Sequence, residues 1–145
     1  MQTALADFIR DTPEGREANA ILRSCVHCGF CTATCPTYLL LGDEQDSPRG
    51  RIYLIKEVLE GSEVSDKTRL HLDRCLTCRS CETTCPSGVQ YGRLLDIGRQ
   101  VVERRVPRPL ATRAWRWLIR EGILARPLFR AALTIGRTVK PLLPA

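Results

Sequence analysis

The chain has 145 residues, eight of them cysteine, and a formal net charge of +6. That length suits one domain with an appended segment, and 8 cysteines in 145 residues fall below the roughly 8–10% that marks a disulfide scaffold. The longest uncharged run, Ser24 to Gly42, holds four cysteines and Pro36, which argues against a membrane span.

The first twenty residues carry Asp7, Arg10, Asp11, Glu14, Arg16 and Glu17 and no apolar h-region, so they do not read as a secretory signal. Apolar side chains recur with helical spacing at Leu5, Phe8, Ile9, Ala18, Ile21 and Leu22, interrupted at Thr12-Pro13. Two short helices are predicted. The second starts with Thr12 as its cap and Pro13 at the first helical position, and it runs into the first cysteine.

Next comes Cys25-Val-His-Cys28-Gly-Phe-Cys31-Thr-Ala-Thr-Cys35-Pro36. The apolar Thr37 to Gly42 is too short to separate helix from strand by pattern alone. Beside a cysteine loop and ended by glycine, it is read as a helical turn covering that region, followed by an acidic loop over Asp43 to Asp46. Ser47-Pro48 starts the clearest helix, with Ile52, Ile55, Val58 and Leu59 on one face and Gly61 as its stop. A further helix is expected from about Ser65 to Asp73, bringing Leu70 and Leu72 near the next cysteines.

The cysteine run then repeats as Cys75-Leu-Thr-Cys78-Arg-Ser-Cys81-Glu-Thr-Thr-Cys85-Pro86. All eight cysteines fall in these two copies, with identical spacing. This is the C-x2-C-x2-C-x3-C-P run of two-cluster ferredoxins, whose fourth cysteine serves the other cluster. Cys25, Cys28, Cys31 and Cys85 are therefore expected to hold one [4Fe–4S] cluster, and Cys75, Cys78, Cys81 and Cys35 the second. Structural zinc favours a tetrahedron built from separated pairs, which three-plus-one groups used twice fit poorly. Disulfides need an oxidising compartment. Eight thiolates awaiting iron point to a reducing cytoplasm.

Two contrasts between the copies bear on tuning. Arg79 and Ser80 stand where the first copy has Gly29 and Phe30, which predicts different potentials at the two sites. His27, inside the first run, reads either as a donor that tunes its cluster or as an exposed or backbone-bonded ring.

Beyond Pro86, Val89, Leu94, Leu95, Ile97, Val101 and Val102 continue a helical pattern across Gly92 and Gly98. No strand alternation appears, so the fold class is mostly α: two helix–loop–helix units that exchange their last cysteine. The 39 residues between Cys35 and Cys75 leave room for two helices. No nucleophile–base set or phosphate-binding glycine loop stands out, so substrate chemistry is assigned to another subunit.

Charge divides the chain. Residues 101–145 hold ten Lys/Arg against Glu103 and Glu121, a net +8, which leaves −2 for residues 1–100. The domain reading is 1–106 for the cluster domain and 107–145 for a basic amphipathic tail, or the start of a further region, divided by Pro109, Pro127 and Pro141. Trp115, Trp117 and Phe129 among arginines are an interface signature, which favours docking on partner subunits. Peripheral association with a membrane surface and a linker packed on a further region are the other readings. No readout module accompanies the arginines, so no nucleic acid is expected as a partner.

The words between and around the cysteines carry a family resemblance. Ile21-Leu-Arg-Ser-Cys-Val-His-Cys-Gly-Phe-Cys31, Thr34-Cys-Pro-Thr-Tyr38, Ser47-Pro-Arg-Gly-Arg-Ile-Tyr-Leu-Ile-Lys56, His71-Leu-Asp-Arg-Cys-Leu-Thr-Cys78, Cys81-Glu-Thr-Thr-Cys-Pro-Ser-Gly-Val89 and Leu94-Leu-Asp-Ile-Gly-Arg99 resemble the N-terminal part of the iron–sulfur subunit of bacterial glycolate oxidase. The resemblance covers about residues 1–105 closely and the tail more loosely. It implies an α-helical ferredoxin fold with two [4Fe–4S] clusters. It also implies FAD-binding partner subunits that turn glycolate into glyoxylate, so that this chain relays electrons to a further acceptor. A sister complex oxidising lactate or glycerol 3-phosphate is the alternative within that class; a structural zinc or nucleic-acid-binding module is the alternative outside it. Family members continue into repeats with a Cys-Cys-Gly motif; this sequence has no Cys-Cys pair.

Overall fold

The computed structural model describes residues 1–139. It is mostly helical, with no strand among those residues, and divides into two compact units, Met1–Pro107 and a second starting at Arg108.

In the first unit, local chemistry sets each helix start. Thr12 Oγ1 accepts the Gly15 N–H at 3.0 Å and Pro13 opens α2 (Pro13–Ser24), after the single turn α1 (Asp7–Arg10). Pro36 opens α3 (Pro36–Leu41), which Gly42 ends in the left-handed region. Ser47 Oγ accepts the Gly50 N–H at 2.9 Å to cap α4 (Pro48–Leu59), and Ser65 caps α5 (Asp66–Asp73) through the Thr68 N–H. Each such cap satisfies an otherwise orphaned donor and contributes about 1 kcal/mol. A short α6 (Ser80–Thr83) lies inside the second cysteine run, and α7 (Tyr91–Arg105) closes the unit.

The core forms where α7 crosses α4, with α2 and α5 packed against α7. Leu94, Leu95, Ile97, Val101 and Val102 of α7 meet Ile52, Ile55, Val58 and Leu59 of α4 and Ala18, Ile21 and Leu22 of α2, all buried. Burial of each Leu or Ile contributes about 1.5–3 kcal/mol. Gly98 is what lets the two central helices approach: a Cβ there would lie 2.6 Å from Ile55 Cγ1. At Gly50 a Cβ would lie 1.9 Å from the Glu44 carbonyl oxygen, so the Glu44–Asp46 turn can pack directly on the start of α4.

Local placement sharpens three expectations. In the Asp43–Asp46 acidic loop, Asp46 is fully buried while Asp43, Glu44 and Gln45 are exposed. Leu39, Leu40 and Leu41 do not cover the cysteine region; a helix this short turns only part of its circumference inward, and these three side chains are exposed. Leu72 is buried beside the second run, whereas Leu70 faces solvent.

The second unit holds α8 (Leu110–Leu124) and α9 (Arg126–Val139), consecutive helices whose described side chains are almost all exposed. The break between them falls at Ala125, and Pro127 sits in the first turn of α9, where a missing N–H costs nothing. Lys140 and Pro141 lie outside the described residues. Among those described, no helix is long and apolar enough to cross a membrane.

Candidate metal centres

Both cysteine runs curl in the same way. His27 and Thr77, each just before the second cysteine of its run, have φ of 54° and 53°; Gly29 and Arg79, just after it, have 85° and 59°. Three of these four are not glycine, and each pays a steric cost in the left-handed region. Such conformations persist where surrounding structure enforces them, and they gather at functional loops.

The two loops face each other. Thr34 Oγ1 lies 3.4 Å from both the Ser80 carbonyl and Thr84 Oγ1, which ties the first run to the second. One cavity is lined by Cys25, Cys28 and Cys31 together with Cys85 and Cys81. A second is lined by Cys75, Cys78 and Cys81 together with Cys35. The structure thus brings the last cysteine of each run to the other run's cavity, and Cys81 borders both. None of the eight is disulfide-bonded.

The donor set discriminates between metals. Four sulfurs about 2.3 Å from one tetrahedral zinc stand about 3.8 Å from each other. Among the described residues no group of three ligating side chains that includes a cysteine converges within 4.8 Å. Sulfurs spread this widely around one cavity suit a polynuclear cluster. Electrostatics agree: burial, reinforced by the neighbouring Cys75 sulfur, pushes the Cys81 thiol up to about 12. Burial likewise raises Cys31, with Cys25 adding to it. Buried thiolates of this kind exist only beside a compensating cation. Cys78 is the exception, lowered by the Ser80 N–H and hydroxyl. The eight cysteines fit two clusters.

The surroundings of the two cavities differ. Val26, Phe30, Pro48, Ile52 and Val89 line the first, with Arg49 at its edge paired to Glu44 at 2.7 Å. His27 donates to no sulfur; its ring stands edge-on to Tyr53 at 4.9 Å, and Nε2 is buried without a hydrogen-bond partner. Arg79 lines the second cavity while remaining exposed to solvent. Sequence reasoning missed two other residues there. The Tyr91 hydroxyl donates to Cys75 Sγ at 3.5 Å, and Thr37 Oγ1 lies 3.2 Å from Cys35 Sγ. Burial, then the Cys75 sulfur, holds the Tyr91 phenol well above its ordinary range.

Behind Thr37 lies a buried ion hub. Arg51, fully buried, donates to Thr37 Oγ1, to the His71 carbonyl and to Asp46 Oδ1 at 3.1, 2.7 and 3.2 Å. Arg74 reaches Asp46 Oδ2 at 2.8 Å, while His71 Nδ1 lies 3.2 Å from Oδ1 but too far off line for a well-formed hydrogen bond. Burial pushes the Asp46 carboxyl up, but the nearby His71 ring, the Arg74 hydrogen bond and the Arg51 guanidinium outweigh it and hold it below its ordinary range. Asp43, Asp46 and His71 do converge within 4.8 Å. Two guanidinium groups already occupy the Asp46 carboxylate, so this cluster joins α4 to α5 and is not a cation site.

Comparison with known proteins agrees with this geometry. Residues 21–89 match the 4Fe-4S dicluster domain family. The glycolate oxidase iron-sulfur subunit of Escherichia coli is 61% identical over 144 residues, 99% of this chain and 35% of that protein. A probable glycolate oxidase iron-sulfur subunit of Bacillus subtilis is 44% identical over 97 residues, 66% of this chain and 22% of that protein. The succinate dehydrogenase iron-sulfur subunit of Paracoccus denitrificans is 28% identical over 105 residues, 67% of this chain and 40% of that protein. The chain therefore spans about a third or less of the length of the two glycolate oxidase subunits. No solved structure matches it.

Proposed function

We propose, from the match of residues 21–89 to the 4Fe-4S dicluster domain family, that the chain is the electron-relay segment of a glycolate oxidase iron–sulfur subunit. The observation that carries this reading is the pair of cavities, each lined by three cysteines of one run and the last cysteine of the other. Cys25, Cys28, Cys31 and Cys85 hold the first cluster; Cys75, Cys78, Cys81 and Cys35 hold the second. A bound [4Fe–4S] cluster supplies a one-electron carrier. The chain's own residues fix the two sites on one α4–α7 core, line the first with the apolar Val26, Phe30 and Ile52, and offer hydrogen bonds to individual sulfurs.

Oxidation of a 2-hydroxy acid to a 2-oxo acid releases an electron pair, which two one-electron sites can take in turn. The flavoprotein that performs it, with FAD, is the partner this reading requires. The similarity over 99% of the chain to a subunit named for glycolate oxidase supports glycolate as that partner's substrate. The reducing cytoplasm, including the inner face of its membrane, is the compartment that suits eight metal-binding thiols.

The second unit is the docking element in this proposal. α8 exposes Trp115 and Trp117 at 63% and 58% among Arg113, Arg116 and Arg120, and desolvated tryptophans with a charged rim are typical anchors. Replacing both by alanine (Trp115→Ala, Trp117→Ala) is expected to weaken capture of the flavin-bearing partner about 30-fold, if truncation costs about 2 kcal/mol. Glycolate-dependent dye reduction by the co-purified complex should fall with it, while iron content stays unchanged. Full partner capture by this variant would end the docking role, and release from the membrane fraction alone would transfer it to a lipid surface.

A further inference from the structure

Resting on the two-cluster reading, we propose that the Tyr91 hydroxyl, helped by the Thr37–Arg51 pair, makes the second site the more easily reduced of the two. Donors aimed at cluster sulfurs stabilise the reduced, more negative state and raise the potential. Tyr91 is 4% exposed and opens α7, so its ring is fixed by the core and its hydroxyl is held on Cys75 Sγ. On the other side of the same cavity, Thr37 has one proton and two acceptors, Cys35 Sγ at 3.2 Å and the Asp46 carbonyl at 3.0 Å. A metal-bound thiolate is the stronger acceptor of the two. Arg51 donates to the Thr37 oxygen, which polarises that hydroxyl further.

Charge does not decide between the sites. At the hub the buried Asp46 carboxylate offsets the buried Arg51 guanidinium, and the surplus cation, Arg74, has a side chain 41% exposed. The first cavity has no counterpart to the Tyr91 and Thr37 donors: no side chain among the described residues donates to the sulfur of Cys25, Cys28, Cys31 or Cys85, and Tyr91, whose ring also lines that cavity, directs its hydroxyl to Cys75. Of its nearby cations, Arg49 pairs with Glu44 and Lys56 with Glu60, while the part-buried Met1 amine bonds the backbone carbonyls of Arg23 and Cys25. Exposed charges are screened by water and salt far more than buried ones.

The test is a potentiometric titration of the iron-loaded chain followed by electron paramagnetic resonance. Two signals are expected, and the one that titrates at higher potential should be the one that vanishes in Cys35→Ser. Tyr91→Phe keeps the ring and removes only the donor. It should lower the reduction equilibrium constant of that signal about tenfold, a shift of about 59 mV for a one-electron couple, and leave the other in place. Thr37→Val should move the same signal in the same direction, and it supplies the answer if Tyr91→Phe fails to fold. Iron content equal to wild type separates tuning from loss of structure. Unchanged midpoints in fully loaded variants, or a shift confined to the lower-potential signal, would overturn the assignment. Absence of both signals from the wild type would instead defeat the electron-relay reading and this inference together.

Discussion

Cys35→Ser is expected to spare the cluster of its own run and remove the one held by Cys75, Cys78 and Cys81. Cys35 is 5% exposed and lines the second cavity, whereas the cavity bounded by Cys25, Cys28 and Cys31 is completed by Cys85. Serine offers a harder, less acidic oxygen in place of a thiolate, so the second cluster loses its fourth ligand and about half of the roughly eight irons go with it. Cys85→Ser should give the mirror image. Comparing the surviving spectra of the two variants identifies which site each has lost. If each substitution emptied only the site of its own run, the crossed ligation would be wrong. The neighbouring Pro36 and Pro86 matter here: each restrains the backbone of the cysteine before it to an extended form, and Cys35 has φ −86° and ψ 113°.

Asp46→Ala carries the second large effect, this time on stability. The carboxylate is fully buried and holds Arg51 of α4 and Arg74, which caps the end of α5. Removing it strands a buried guanidinium, which costs about 3–5 kcal/mol in domains whose total stability is about 5–15 kcal/mol. Chemical denaturation should show the loss as a lower midpoint with an unchanged slope. A double replacement, Asp46→Asn with Arg51→Met, should recover part of it, because the stranded charge is then gone too. The acid limb follows from the lowered carboxyl. Its contribution is complete above the unfolded value of about 3.9 and is lost as pH falls through the lower folded value. Wild type should therefore lose stability below about pH 4 through this group, and Asp46→Ala should lack that component. An unaltered denaturation midpoint for Asp46→Ala would contradict the role of the hub.

The helices were legible because their caps and faces obey local rules. Thr12-Pro13, Ser47-Pro48 and Ser65 each accept the N–H three residues on, and the apolar spacing of α4 and α7 marks their buried faces. The chemistry of the cysteine runs was legible from spacing alone. What escaped sequence reasoning depends on tertiary placement. Asp46 reads as one of three acidic residues in a polar loop until Gly50 allows that turn to pack on α4. A signal did exist: Arg51 falls on the face of α4 shared by Ile52, Ile55, Val58 and Leu59, and a charge at such a position requires a buried partner. Tyr91 gave no such sign, since an aromatic residue at a helix start packs equally well with or without a sulfur to donate to. Leu39 to Leu41 misled because apolar residues beside a metal loop suggest cover, whereas the inward face of so short a helix is taken by Thr37.

Iron and acid-labile sulfide analysis of the purified chain, combined with Mössbauer spectroscopy, tests the central claim most directly. The account predicts about eight irons and eight sulfides per chain, distributed as two cubane clusters. One or two zinc ions per chain with no labile sulfide would contradict it.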